Sequence, residues 1–267
     1  MKKFMSFSCI VFLLFSCSSS DGNSSNSPTV GIKPTRILTT IDYNSPLEFD
    51  VSYTYDGNRI TETVTIERRV GVTIKTTTAT YSYVGDLLDK IVQLNDVDDN
   101  IETFTYQFDS SERVTKQTVV NSIEVQRNQI TVVAYPSSTT ANVKVYSQTI
   151  SNENLTKDIA LNFENGEVIA AVWNTRENVT WFESIYNNTF DSRNGALKNI
   201  SNIRNFVILA GGAGRGINHN ISTYNVSTTG SGFENTTIYM TEYNEEDYPT
   251  RESISSDGPF RTVEYFY

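Results

Sequence analysis

A chain of 267 residues with 31 acidic and 21 basic side chains carries a formal net charge of −10. A surface that acidic repels phosphate backbones, which argues against nucleic acid as a partner. One histidine (His219) and two cysteines (Cys9 and Cys17) rule out a three-histidine zinc site and a disulfide framework.

The N-terminus is not part of the fold. Lys2 and Lys3 precede an apolar stretch from Phe4 to Phe15, and "LFSC" closes it at Cys17. About a dozen residues are too few to span a bilayer as a helix, so residues 1–17 are expected to be an export signal. The Leu-x-small-Cys pattern resembles the lipobox of bacterial lipoproteins, which implies acylation of Cys17 and a membrane attachment through that lipid alone. The Ser/Asn-rich run "SSSDGNSSNSP" follows at once. It cannot bury enough apolar surface to order itself, so residues 18–36 read as a tether. Without Cys9 and an acylated Cys17 the domain has no free thiol, and without Lys2 and Lys3 its charge is 19 − 31 = −12. Residues 37–267 are expected to form one domain, since all-β domains of this size are commonly undivided.

The first predicted elements lie in "VSYTYDGNRITETV", Val51 to Val64, where aromatics alternate up to Tyr55 and a second alternating stretch begins at Ile60. The same aromatic-then-turn pattern recurs at Tyr83, Phe108, Tyr135, Phe163, Phe190 and Tyr243. The steps are 28, 25, 27, 28 and 27, and then 53, which reads as two steps with one copy obscured. Two strands and two connections fill a period of about 27, so each copy is expected to be a β-hairpin. Phe104, Tyr106 and Phe108 oppose Thr103, Thr105 and Gln107, and Ile159, Leu161 and Phe163 oppose Asp158, Ala160 and Asn162. This period of two with one wet face marks antiparallel strands. The expected fold is all-β: a meander of about 14–16 strands forming a strongly curved or barrel-like sheet, because so many twisted strands curl.

Later in the chain, Leu197, Ile200, Ile203 and Val207 form a helical stripe that ends at Gly211-Gly212. One helix is expected over about 195–210, plugging an end or covering a face. "GGAGRG" (211–216) follows that helix instead of opening one, which disfavours anion binding and reads as a flexible loop. "NDVDDNIE" (95–102) has carboxylates without the spacing of a calcium loop, and a solvated turn is the favoured reading. Trp173, Trp181 and Tyr186 are the candidate ligand-binding residues, able to stack on an apolar or glycan ligand if they line a groove. Nothing in the pattern implies a catalytic residue, a metal or a cofactor.

"YTYDGNRI" resembles the tyrosine-aspartate repeat of RHS-type proteins. "FDSRNGALKNI" and the terminal "TEYNEEDYPTRESIS…TVEYFY" are similar to segments of uncharacterised lipoproteins of Bacteroidetes. These include a domain-of-unknown-function family described as porin-like. The resemblance implies a β fold in the cell envelope, in or at the outer membrane, and no catalytic residues. Three classes follow. The leading one is a lipid-anchored, non-catalytic binding or scaffold protein, with an envelope protein or a glycan or apolar molecule as partner. Next is a glycoside-hydrolase-type enzyme, which needs only a pair of carboxylates. Third is an integral outer-membrane barrel, disfavoured by charges such as Glu62 and Lys116 that fall among apolar strand residues.

Overall fold

The computed structural model describes residues 31–148, 153–177, 180–212, 214, 216–256 and 260–267. Cys17, the export signal and most of the expected tether lie outside them. The chain enters through β1 (Arg36–Ile41), β2 (Leu47–Asp56), β3 (Arg59–Arg69), β4 (Val72–Val84) and β5 (Leu87–Asn95). Next come β6 (Ile101–Phe108), β7 (Val114–Asn121), β8 (Gln129–Ser137), β9 (Thr140–Gln148) and β10 (Glu153–Glu164). The last six are β11 (Glu167–Glu177), β12 (Thr180–Asn194), β13 (His219–Thr228), β14 (Phe233–Tyr243), β15 (Pro249–Ser255) and β16 (Arg261–Phe266). Each strand pairs antiparallel with its sequence neighbours, and β1 pairs with β16, so the meander closes into a 16-stranded barrel. Closure leaves no free edge to template aggregation.

The repeat has a physical basis at one end of this barrel. Tyr55, Tyr83, Phe108, Tyr135, Phe163, Phe190 and Tyr243 each stand where an even-numbered strand reaches that end, and each lies at a register shift with the next strand. A bulge re-aims a side chain, and here the extra residue, such as Thr61, Asp89 or Thr115, lies on the following strand, turning Ile60, Leu88 or Val114 inward beside the ring. The tyrosines then tie successive copies together. The Tyr55, Tyr83 and Tyr135 hydroxyls donate to the carbonyls of Pro34 (2.7 Å), Ile60 (2.8 Å) and Val114 (3.0 Å) in the preceding copy. A cation from that copy lies over the ring: Lys33 on Tyr55, Arg59 on Tyr83, Arg113 on Tyr135 and Arg193 on Tyr243. Seven aromatics thus mark seven hairpins, and β1 and β16 complete the sixteen strands. The doubled step of 53 hides no lost copy. An insertion, residues 195–218, lies between β12 and β13.

The insertion plugs that end. Its helix α1 (Ile203–Leu209) is shorter than the stripe predicts, because Asn202 takes a left-handed conformation (φ 71°) just before it and residues 197–202 form turns. The Asn202 amide instead reaches across to the carbonyl of Asp86 (3.1 Å), while the N–H of Ser201 donates to Asn58 (2.9 Å). Asn205 Oδ1 accepts the N–H of Val114 (3.0 Å), and Asn199 donates to Ile32 (2.8 Å). The plug therefore bonds to turns spread around the rim and to the incoming chain. The expected tether is correspondingly shorter: Ile32 to Thr35 are held by Asn199, Tyr55 and Phe266. Apolar contact completes the seal, with Ile203, Phe206, Val207 and Ile208 of the plug and Ile60, Val114, Val143 and Val168 of the wall all buried.

The outer wall mixes charged and apolar side chains. Strand pairing turns Glu48, Asp50, Glu62 and Arg68 outward on β2 and β3, and Lys90, Lys116 and Lys144 outward on β5, β7 and β9. Ile60 and Val114 point inward, because the bulges separate them from Glu62 and Lys116. Exposed Leu94, Ile101, Val120 and Val132 form an apolar stripe on β5 to β8. On the opposite side Glu183, Asn225, Glu242, Arg251 and Glu264 alternate with exposed Trp181, Ile238, Met240 and Phe266. Outside, Asp50 sits between Arg36 (2.6 Å) and Arg68 (3.0 Å). Its bond with Arg36 outweighs burial and holds its carboxyl below the usual 3.8. A depressed folded-state pKa contributes stability above the unfolded value and loses it as pH falls through the folded one. Asp50→Asn should therefore cost about 1 kcal/mol at neutral pH, with a difference that vanishes in strong acid. Urea unfolding at pH 7 and pH 2.5 checks this.

Candidate functional site

Burial along the inward face runs in one direction. At the plugged end the inward residues are sealed: Ile60, Val114, Ala141, Val143 and Val168 are all 0% exposed. Towards the other end the inward positions become polar and half-exposed, among them Thr65, Thr77, Gln93, Asn95 and Ser147. The lumen is thus dry and filled over the plug and accessible from the opposite mouth.

Between these halves stands an aromatic wall. Trp173 on β11 faces inward, and its indole N–H donates to the Gly211 carbonyl of the plug (3.0 Å). Tyr186 on β12 packs against it with ring centroids 5.1 Å apart, and Tyr224 on β13 stacks on Tyr186 at 5.7 Å. Tyr239 on β14 shares the inward face, and both Tyr224 and Tyr239 approach Gly214. All four rings are only partly buried. Burial raises the pKa of the Tyr186 hydroxyl, and that of Tyr224 is raised by burial and by Tyr186 and Tyr239 beside it. Both stay neutral and available as hydrogen-bond donors. At the mouth Phe182 and Phe233 continue the inward register, 41% and 50% exposed.

Of the three sequence candidates the structure brings two together and removes one. Trp173 and Tyr186 touch in the lumen. Trp181 pairs with Arg176 and faces outward, 43% exposed, because side chains alternate and it lies an odd number of positions from Tyr186. Tyr224, Tyr239 and Phe182 escaped the sequence argument, which had no means of knowing that β11 to β14 stand side by side. Lys157 escaped as well, although the alternation of Ile159, Leu161 and Phe163 extends back to it.

The remaining sequence features find structural uses. Gly211 and Gly212 are pinned, not loose: both have positive φ, and a Cβ on Gly211 would meet the Trp173 ring at 2.4 Å. Asn188 donates to the Gly212 carbonyl (3.1 Å). Asp96 and Asp98 accept backbone N–H groups of Thr76 (2.7 Å) and Asn100 (3.2 Å), so the acidic run organises its own hairpin turn. No group of three or more potential metal-ligating side chains is found among the described residues. His219 opens β13 with Nδ1 3.2 Å from Glu167, whose carboxylate also accepts the N–H groups of Ile217, Asn218 and His219.

Fold and site together define an up-and-down β-barrel, plugged at one end and lined by aromatics towards the other. In keeping with that class, the chain is similar to two solved structures of porin-like proteins. One, from Bacteroides vulgatus ATCC 8482, matches with a TM-score of 0.55 at 12% identity, over 88% of this chain and 98% of that one. The other, from Bacteroides uniformis ATCC 8492, matches with a TM-score of 0.53 at 13% identity, over 87% of this chain and 96% of that one. At such identities the likeness is one of fold. No family model and no curated protein matches the chain.

Proposed function

We propose that this chain is a non-catalytic, lipid-anchored binding protein of the outer membrane, whose half-open lumen takes a glycan against the wall of Trp173, Tyr186, Tyr224 and Tyr239. The carrying observation is that these rings stay accessible above a plug that seals everything beneath them. Flat rings pack on sugar faces, and neutral tyrosine hydroxyls bond to sugar hydroxyls.

The closed barrel has the topology of proteins that span the outer membrane, but its outer wall speaks for a place outside the hydrocarbon. A spanning barrel needs an apolar band all round, flanked by aromatic girdles. Here the strand aromatics facing outward are Tyr146, Trp181 and Phe266, and from β12 to β2 exposed Ile238 and Met240 stand between charges and amides and form no continuous band. The attachment then falls to Cys17. Since Ile32 and Lys33 pack at the plugged end, the tether joins there and the mouth faces away from the membrane. Thirteen residues lie between Cys17 and Gly31, and the fourteen steps from one to the other reach roughly 45–50 Å at full extension.

Two experiments test this. In a glycan-binding screen of the purified mature protein, Tyr186→Ala and Tyr224→Ala should weaken binding at least tenfold and shift stability by no more than about 2 kcal/mol. Absence of saturable binding to any glycan sinks the ligand half of the proposal. Metabolic labelling of cells with a fatty-acid analogue should tag the native protein and leave Cys17→Ser unlabelled. Equal labelling of both sinks the anchor.

A further inference from the structure

A cation stands in this lumen with no carboxylate paired to it among the described residues. Lys157 lies on β10 beside a bulge between Leu155 and Lys157, and its cross-strand partners on the inward face are Val145 and Thr175. Its ammonium lies 5.1 Å from the centroid of the Trp173 ring. The adjacent Asp158 points the other way and pairs outside with Lys144 (3.3 Å). Glu177, two positions beyond Thr175 towards the mouth, forms no ion pair with it, nor does any other carboxylate among the described residues. Burial lowers its pKa, since removing an ammonium from water disfavours its charged form.

A partly desolvated lysine that meets an aromatic face but no carboxylate is costly, and proteins seldom keep one where an apolar side chain would pack as well. Val145 and Ile159 beside it show that this stretch of wall accepts apolar residues. With its ammonium 5.1 Å from the Trp173 centroid, Lys157 can reach a ring lying on that wall. A carboxylate on that ring would supply the counter-charge, and in the lumen such a pair is screened far less than at the surface.

We propose that Lys157 makes the lumen selective for acidic sugars, its ammonium pairing with the carboxylate of a uronic acid ring held on Trp173 and Tyr186. This rests on the lumen-binding reading above and adds the charge of the ligand. Neutral sugars use the same wall without the ion pair.

The test uses Trp173 as its own reporter. The chain has two tryptophans, so Trp181→Phe leaves Trp173 as the sole emitter in the purified mature protein. The probes are a galacturonic acid trisaccharide and a galactose trisaccharide of the same linkage. Both should change Trp173 emission, the acidic one binding at least tenfold tighter at low salt. Lys157→Met should abolish that preference and leave neutral binding unchanged, while Lys157→Arg retains it. Melting curves establish that each variant is folded, and Lys157→Gln replaces Lys157→Met if the latter is not. Equal affinity for the two probes, or a preference that survives Lys157→Met, overturns the acidic-sugar inference and leaves the lumen reading standing. Silence with both probes overturns the lumen reading, and the inference with it.

Discussion

Glu167→Ala should destabilise the folded chain by on the order of 3–5 kcal/mol, one of the largest effects expected of a single substitution in this barrel. Glu167 is 3% exposed at the start of β11, just after the Asn165-Gly166 turn, whose residues both have positive φ. Its carboxylate accepts N–H groups from Ile217 (2.6 Å), Asn218 (2.6 Å) and His219 (2.9 Å). These three donors belong to the segment where the plug returns to the wall as β13. Truncation to alanine strands them away from water, and each unsatisfied buried N–H costs about 1–3 kcal/mol. Glu167→Gln should recover part of the loss, because one oxygen still accepts while the amide NH2 faces donors. Chemical denaturation of the mature protein measures both. A loss under 1 kcal/mol for the alanine variant would show that the Glu167 bonds contribute little to seating the plug.

Phe206→Ala addresses that apolar contact. Phe206 is 2% exposed at the middle of α1, edge-on to Tyr106 with ring centroids 5.6 Å apart. Removing a ring from such a site leaves a cavity that the closed wall cannot collapse to fill, at a cost of about 3–5 kcal/mol. Tyr186→Ala, higher in the lumen and half-buried, should cost visibly less. The contrast separates the two halves of the barrel: the plug is core and the aromatic wall is surface. If Phe206→Ala and Tyr186→Ala cost the same, the lumen is filled throughout and no ligand enters it.

Much of this architecture was legible in the residues. Period-two alternation is a local property, since neighbouring side chains on any strand point to opposite faces whatever the partner. It exposed the all-β class and the faces of individual strands such as β6 and β10. The aromatic-turn repeat marked each of the seven hairpins because each ring sits opposite a bulge that every copy carries, although the reading added an eighth, obscured copy. The step of 53 misled for a reason the chain does not encode locally: an insertion and a degraded copy add residues alike. The stripe from Leu197 to Val207 showed a helix but not its start, because Asn202 leaves the helical conformation to bond a carbonyl 116 positions away, on Asp86.

What the sequence determined by itself was therefore whatever depends on near neighbours: strand type, strand faces and repeat period. Closure of β1 on β16, the seating of the plug, and the meeting of Trp173, Tyr186, Tyr224 and Tyr239 were decided only in three dimensions. Each depends on which strands stand beside one another and on how each bulge shifts the register. A single shift exchanges inside for outside, as Ile60 and Glu62 show, two positions apart and yet on opposite faces of the wall because a bulge lies between them.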